Sequence, residues 1–440
     1  MEPKKILFAT FPADGHFNPL TGLAMYLKSQ GHDVRWYTGQ AYRPKLQTLG
    51  IPHVPFRYAL DVSSDTLDTL FPERARHTRQ LSKLKFDLTH VFVSRTAEYY
   101  EDILDLRQEF PFDAMIADIA FTAIPLVRFR LNVPVLAMGI MPLGETSRNL
   151  PPSGLGRVPS YTRWGQQKQA VLRWLTDRFV FKAPTEQYRD VLDAYGITVQ
   201  TTNLFDMLYR SASWVLQSGA PGFEYKRSDL GANIRFVGAL LPHRHPRPQR
   251  YFFQDRVKAF DKVILVTQGT VEQDVTKIIV PTLEAFKETR HLVVVTTGGS
   301  QTEALRTQYP YANVIIEDFI PFEEIMPYTD VYVTNGGYGG VILGLQHGLP
   351  LVVAGVHEGK NEINARIGYF KLGINLQTER PTAEQVQDAV LEVLHATVYR
   401  TNVKALQEEL RQYNAHQLCE QYLAEALAAH EPASQAGLAA

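Results

Sequence analysis

The feature that most constrains this 440-residue chain is a repeated alternation of short, β-branched apolar runs with helix-length segments. Residues 5–11 read as a buried strand, 19–30 carry the helical spacing Leu20, Leu23, Ala24, Leu27 up to Gly31, and 34–38 read as a second strand. Parallel strands cannot be joined by a tight turn, so a strand, a helix-length connection and another strand form the unit of a parallel sheet. The unit recurs at 113–117, 122–131 with Pro125 in a first turn, and 133–138. It restarts later, with strands expected at 262–267, 291–296, 313–317, 331–334 and 351–354. Ser300 with Glu303, and Thr382 with Gln385, have capping-box spacing and place two helix starts. The predicted fold class is α/β, built from parallel sheets.

Two stretches interrupt the alternation. Residues 143–163 turn to Pro, Gly and Ser, as in Leu150-Pro151-Pro152-Ser153-Gly154, which predicts a long loop. Residues 241–255 include Pro242-His243-Arg244-His245-Pro246 and read as a linker. His243 and His245 read as solvated linker residues, because no third metal ligand stands near them in sequence. The expected organisation is a first domain at 1–240, a second at 256–402 and a helical tail at 403–440 that frays beyond 430. In open parallel sheets ligands sit beyond the carboxyl ends of the strands, so a site is expected in the cleft between the domains.

Lys+Arg number 45 and Asp+Glu 46, a net charge of −1 that gives no whole-molecule field for nucleic acid or anionic lipid. No apolar run has the length of a signal peptide or a membrane span, and the one cysteine, Cys419, excludes an intrachain disulfide and a multi-cysteine metal site. A cytoplasmic protein with no integral membrane segment is expected.

Thr334-Asn335-Gly336-Gly337-Tyr338-Gly339-Gly340 follows a strand and opens a helix through Val341 and Leu345. One glycine there is explained by a tight turn. Four remove side chains where backbone N–H groups and a helix dipole meet an anion, which suits a diphosphate. Gln268-Gly269-Thr270, after another strand, offers a second backbone and hydroxyl contact or an ordinary loop. A dehydrogenase is disfavoured, because Pro12-Ala13-Asp14-Gly15 stands after the first strand in place of G-x-G-x-x-G.

On these residues, together with Phe11-Pro12-Ala13-Asp14-Gly15-His16-Phe17-Asn18-Pro19-Leu20 and the segment 318–365, the chain resembles the UDP-glycosyltransferase superfamily in its bacterial natural-product, macrolide-type branch. The resemblance spans nearly the whole chain. It implies a GT-B fold, two Rossmann-like domains facing across a cleft, the first binding a small lipophilic acceptor and the second a nucleotide sugar. It implies an inverting hexosyltransferase with no cofactor and no metal. His16 matches the family's catalytic segment and is the expected general base, an imidazole being able to take a proton near neutral pH; a structural histidine is the alternative. Asp118 stands where the family's catalytic aspartate resides; capping the next helix is its alternative role. Phe319 and Ile320 occupy the segment near the nucleotide base, where Phe319 either stacks or packs in the core. Gly269, Thr270, Asn335, Gly337, Tyr338, Gly339 and Gly340 are expected to cradle the diphosphate.

The departures matter as much. Asn335 stands for the usual phosphate-binding histidine, and Leu343 for the glutamate that contacts the ribose hydroxyls. Lys360-Asn361 stands for an Asp-Gln pair that holds the sugar, with Glu358 as a substitute carboxylate. A site without the ribose carboxylate suits a dTDP-linked deoxyhexose such as dTDP-rhamnose slightly better than UDP-glucose. A catalytically silent nucleotide-sugar-binding partner of another transferase is the alternative reading. Acceptor choice is expected to lie with loops around 56–86 and 141–161.

Overall fold

The computed structural model describes residues 2–63, 66–77, 80–201, 203–243, 256–269 and 272–430. Thr270, His245, most of the expected linker and the end of the tail lie outside the described residues. Two parallel sheets organise the rest. The first contains β1 (Lys5–Ala9), β2 (Asp33–Tyr37), β3 (His53–Val54), β4 (Ala114–Asp118), β5 (Val135–Gly139), β6 (Trp214–Ser218) and β7 (Ile234–Gly238), in the order β3-β2-β1-β4-β5-β6-β7. The second contains β8 (Lys262–Thr267), β9 (His291–Thr296), β10 (Val314–Glu317), β11 (Val331–Thr334), β12 (Leu351–Val353) and β13 (Gly373–Asn375), in the order β10-β9-β8-β11-β12-β13.

Each sheet is covered on both faces, which is why its strands read as continuous apolar runs. Leu7 and Ala9 of β1 enter one core while Ile6 and Phe8 enter the other, following the two-residue period of a strand. Val263 and Leu265 of β8 separate from Ile264 and Val266 in the same way. Both sheets reverse their strand order beside their first strand, between β1 and β4 and between β8 and β11. Chains leaving the carboxyl ends of such neighbours diverge and open a crevice.

The helix expected at 19–30 begins earlier, at Asp14, and carries Pro19 inside it. Proline lacks an N–H but tolerates helical φ, so near the start of a helix it costs one hydrogen bond rather than the element. Thr382 and Gln385 form the expected reciprocal capping box. Ser300 and Glu303 do not: Gly298 and Gly299 have positive φ, Gln301 takes the N-cap position with φ 55°, and Glu303 pairs with Arg306 at 2.5 Å instead. A helix, Thr397–Leu410, runs through the boundary expected at 402/403 and adds Val403, Leu406 and Leu410 to the core of the second domain. The next helix, Ala415–Ala428, crosses back and packs Cys419, Leu423 and Ala426 against Leu20, Leu23 and Leu27 of the first.

Candidate active site

His16 lies in the first turn of the helix Asp14–Ser29, immediately beyond β1, and Asp118 ends β4, the neighbouring strand. The reversal of strand order thus brings together two residues 102 positions apart: His16 Nδ1 is 3.0 Å from Asp118 Oδ1. Asp118 is fully buried, and its carboxylate also accepts the Phe11 N–H at 2.7 Å and the Ala120 N–H at 2.8 Å. A buried carboxylate requires such partners. The following helix, Ile124–Arg130, is capped at Ala123, so Asp118 is not its N-cap. The His16 side chain remains 18% exposed, so part of its ring is accessible. Phe11 meets that ring edge-on at 5.7 Å and begins an apolar wall with Val62, Val91 and Phe92.

The second switch point holds the glycine turn. Gly269, after β8, has φ 80°, and a Cβ there would stand 3.8 Å from Asn335 Nδ2 beyond β11. Asn335 fastens the two strand ends: its Nδ2 donates to the Gln268 carbonyl and its Oδ1 accepts the Gly337 N–H at 3.3 Å. One amide hydrogen of the expected phosphate donor is therefore used inside the turn. Gly336 is required sterically, with φ 88° and a would-be Cβ 1.8 Å from Asn364 Oδ1. Gly339, in the first turn of the helix Tyr338–Gln346, faces open space.

Several expected contacts are placed differently. The Tyr338 phenol is buried and donates to the Ser218 carbonyl at 2.6 Å, so its side chain joins the two domains and only its backbone stands at the glycine turn. Burial holds that phenol well above the ordinary tyrosine range. Ile320 lies in the core of the second domain, whereas Phe319, 48% exposed, does not, which removes the core alternative for Phe319. Leu343 is half-buried against the same core, an apolar packing role. Lys360 and Glu358 pair with each other at 2.7 Å. Asn361 Nδ2 donates to the Gly154 carbonyl at 3.0 Å across the domains, while its buried Oδ1 has no partner among the described residues.

Sequence reasoning missed the charges that brace this cleft. Glu362 accepts the Gly156 N–H at 2.7 Å and reaches Arg366 at 3.2 Å, one helical turn on, and Arg366 binds Glu224 of the first domain at 2.8 Å. The Glu362–Arg366 spacing was visible as an i, i+4 pair; Glu224, far away in the chain, carried no local signal. Among the described residues no group of three or more His, Cys, Asp or Glu side chains is placed to hold a metal ion, and no helix is long and apolar enough to cross a membrane.

The chain is 34% identical over 405 residues to 4'-demethylrebeccamycin synthase of Lentzea aerocolonigenes, a match covering 92% of this chain and 95% of that protein. This chain belongs to the UDP-glycosyltransferase superfamily. Residues 281–427 match the C-terminal domain family of erythromycin biosynthesis protein CIII-like proteins, which places the chain in the natural-product, macrolide-type branch. A fungal superfamily member, UDP-glycosyltransferase 2 of Phaeomoniella chlamydospora, is 28% identical over 432 residues, covering 94% of this chain and 93% of its own. Among solved structures, the calicheamicin glycosyltransferase CalG4 superposes with a TM-score of 0.73 at 19% identity, covering 98% of this chain and 100% of its own. The spinosyn rhamnosyltransferase SpnG, complexed with thymidine diphosphate, gives 0.66 at 14% identity, covering 95% and 99%. The fold is GT-B, and this superfamily member is a nucleotide-sugar-dependent glycosyltransferase of the natural-product type.

Proposed function

We propose that the enzyme transfers a hexose, with inversion, from a nucleotide sugar to a hydroxyl of a small lipophilic acceptor in the cytoplasm, with no cofactor or metal. The observation that carries this reading is the His16–Asp118 pair at the first switch point. The carboxylate accepts a hydrogen bond from Nδ1–H, which fixes the tautomer and leaves Nε2 with a lone pair for the acceptor. Nε2 removes the acceptor hydroxyl proton, the acceptor oxygen bonds to the anomeric carbon, and the C–O bond to the diphosphate breaks on the opposite face. Asp118 then stabilises the imidazolium. The leaving diphosphate takes the electron pair and is held by N–H groups at the start of the helix Tyr338–Gln346, with Gly337 and Gly339 clearing the approach, whereas Gly340 faces inward, a Cβ there standing 3.3 Å from the Tyr332 hydroxyl. Asn361 Oδ1 and the Glu358–Lys360 pair lie in the segment assigned to the sugar hydroxyls, and exposed Phe319 in that assigned to the base. The apolar wall from Phe11 to Phe92 suits a lipophilic acceptor.

Asp118→Asn is expected to lower kcat by about 100-fold or more while cooperative unfolding survives at a reduced midpoint, because an amide orients the ring without balancing its charge. Steady-state kinetics beside calorimetric melting measures both. Parent-like turnover refutes the pairing role, and loss of the cooperative transition makes Asp118 purely structural.

A dTDP-deoxyhexose is slightly favoured over UDP-glucose as donor, since Leu343 offers a ribose hydroxyl no hydrogen bond. Titration calorimetry is expected to show dTDP binding at least as tightly as UDP, with Leu343→Glu shifting preference toward UDP. Gly339→Asp, which has room for its side chain and suits a helix N-terminus in the free protein, is expected to abolish binding of both without lowering stability. A parent preference for UDP removes the deoxysugar argument, and retained binding in Gly339→Asp removes the diphosphate assignment.

A further inference from the structure

The helix Arg163–Thr176 is inside out. Its buried side chains are Gln169 and Thr176, whereas Trp164 is 76% exposed, Trp174 62% and Val171 57%. Trp164, Val171 and Leu175 share one helix face by their i, i+7, i+11 spacing, and Trp174 borders it. Phe179, 65% exposed, continues the surface, its ring edge-on to Trp174 at 6.5 Å. Large aromatic side chains held in water forgo the burial that gives them their stabilising value, so a contiguous set marks a surface built to be covered.

Charge selects what covers it. Between 157 and 182 the chain carries Arg157, Arg163, Lys168, Arg173, Arg178 and Lys182 against one acidic residue, Asp177. Arg173 turns inward to the Leu150 carbonyl and Lys182 pairs with Glu186 at 3.5 Å, but Arg157, Arg163, Lys168 and Arg178 have no ion pair among the described residues. The net charge of −1 conceals this local concentration. A second copy of the chain would set like charge against like, and lysine is depleted from the cores of protein interfaces. Indoles beside unpaired Lys and Arg are the composition of a helix lying in a lipid headgroup layer.

We propose that the face formed by Trp164, Val171, Trp174, Leu175 and Phe179 docks the enzyme on an anionic phospholipid surface. The helix follows the loop whose Gly154 and Gly156 touch Asn361 and Glu362, so the docked surface adjoins a border of the interdomain cleft. The inference is independent of the donor and acceptor assignments.

Sedimentation of the full chain with vesicles of phosphatidylglycerol and phosphatidylcholine in equal parts tests it. Binding is expected to be at least about tenfold stronger than to phosphatidylcholine alone and to weaken with salt. Tryptophan emission is expected to shift to the blue on binding, since Trp164 and Trp174 are exposed while Trp36 is already buried. The triple variant Trp164→Ser, Trp174→Ser, Phe179→Ser and the double variant Lys168→Glu, Arg178→Glu are expected to lose binding with unchanged melting transitions, because all five side chains are exposed. Failure of the parent to bind anionic vesicles, or parent-like binding by the triple variant, overturns the proposal. So does a parent dimer in solution that the triple variant dissociates, which assigns the face to a second copy.

Discussion

Replacing His16 with alanine is expected to lower turnover by about 10²–10⁴-fold, the range associated with losing a positioned general base, and to leave nucleotide-sugar affinity unchanged. The substitution is structurally mild. Alanine suits the first turn of a helix, and Asp118 keeps the Phe11 and Ala120 N–H groups as partners when the imidazole is gone. The glycine turn from Gly336 to Gly340, proposed to hold the donor, lies in the other domain and does not use the His16 side chain. Chemistry and binding therefore separate, and kinetics with a hydroxyl acceptor beside calorimetry with the diphosphate reads each. A sharper arm uses a phenol acidic enough to ionise at the assay pH. Such an acceptor needs no base, so it should recover most of the lost rate in His16→Ala. An equal deficit on ionised and neutral acceptors would mean that His16 positions the acceptor rather than deprotonating it.

The His16–Asp118 pair was legible in the sequence because each member ends or follows a strand whose buried run is unmistakable. The β8, β9 and β11 runs are apolar on both faces, and their observed bounds coincide with the expected ones. β6 and β7 were not anticipated. Gln217 and Ser218 interrupt the apolar signal of β6 because both side chains are used locally, Gln217 donating to Tyr338 Oη at 3.2 Å and Ser218 Oγ accepting the Leu240 N–H at 3.1 Å. β3 and β13 are two and three residues long, too short for a periodicity. The same locality limits the candidate donor site. Sequence placed Asn335 and Tyr338 in the glycine turn but not their partners, Gln268 and Ser218, which are 67 and 120 residues away and turn those side chains from a ligand toward the protein. Exposure was equally unreadable: the Trp164 helix has the amphipathic spacing of a core element and presents the opposite face to the protein.

The largest stability effect is expected from Arg366. Its Nη2 and Nε donate to Glu224 Oε2 at 2.8 and 3.1 Å, its Nη1 reaches the Glu362 carboxylate at 3.2 Å, and its guanidinium lies 4.4 Å from the centroid of the Tyr225 ring. The Arg366 and Glu224 side chains are 3% and 5% exposed, so water cannot replace a lost partner. Truncating one member of such a pair typically costs about 3–5 kcal/mol, because it leaves the other charge buried without its counterion. Arg366→Ala is therefore expected to destabilise the enzyme by about that amount in chemical denaturation. Neutralising both carboxylates together with the arginine removes the orphans, so Arg366→Met combined with Glu224→Gln and Glu362→Gln is expected to recover most of the loss, the new carbonyls still accepting the Leu143 N–H that Glu224 Oε1 takes at 2.9 Å and the Gly156 N–H that Glu362 Oε1 takes at 2.7 Å. Location adds a second signature. Glu224 belongs to the first domain's final segment and Arg366 to the helix after β12, so the pair couples two separately built cores. Calorimetry of Arg366→Ala should resolve two transitions where the parent is expected to show one. A variant that melts in one step within about 0.5 kcal/mol of the parent, the range of an ordinary surface substitution, would show that this ion pair does not hold the domains together.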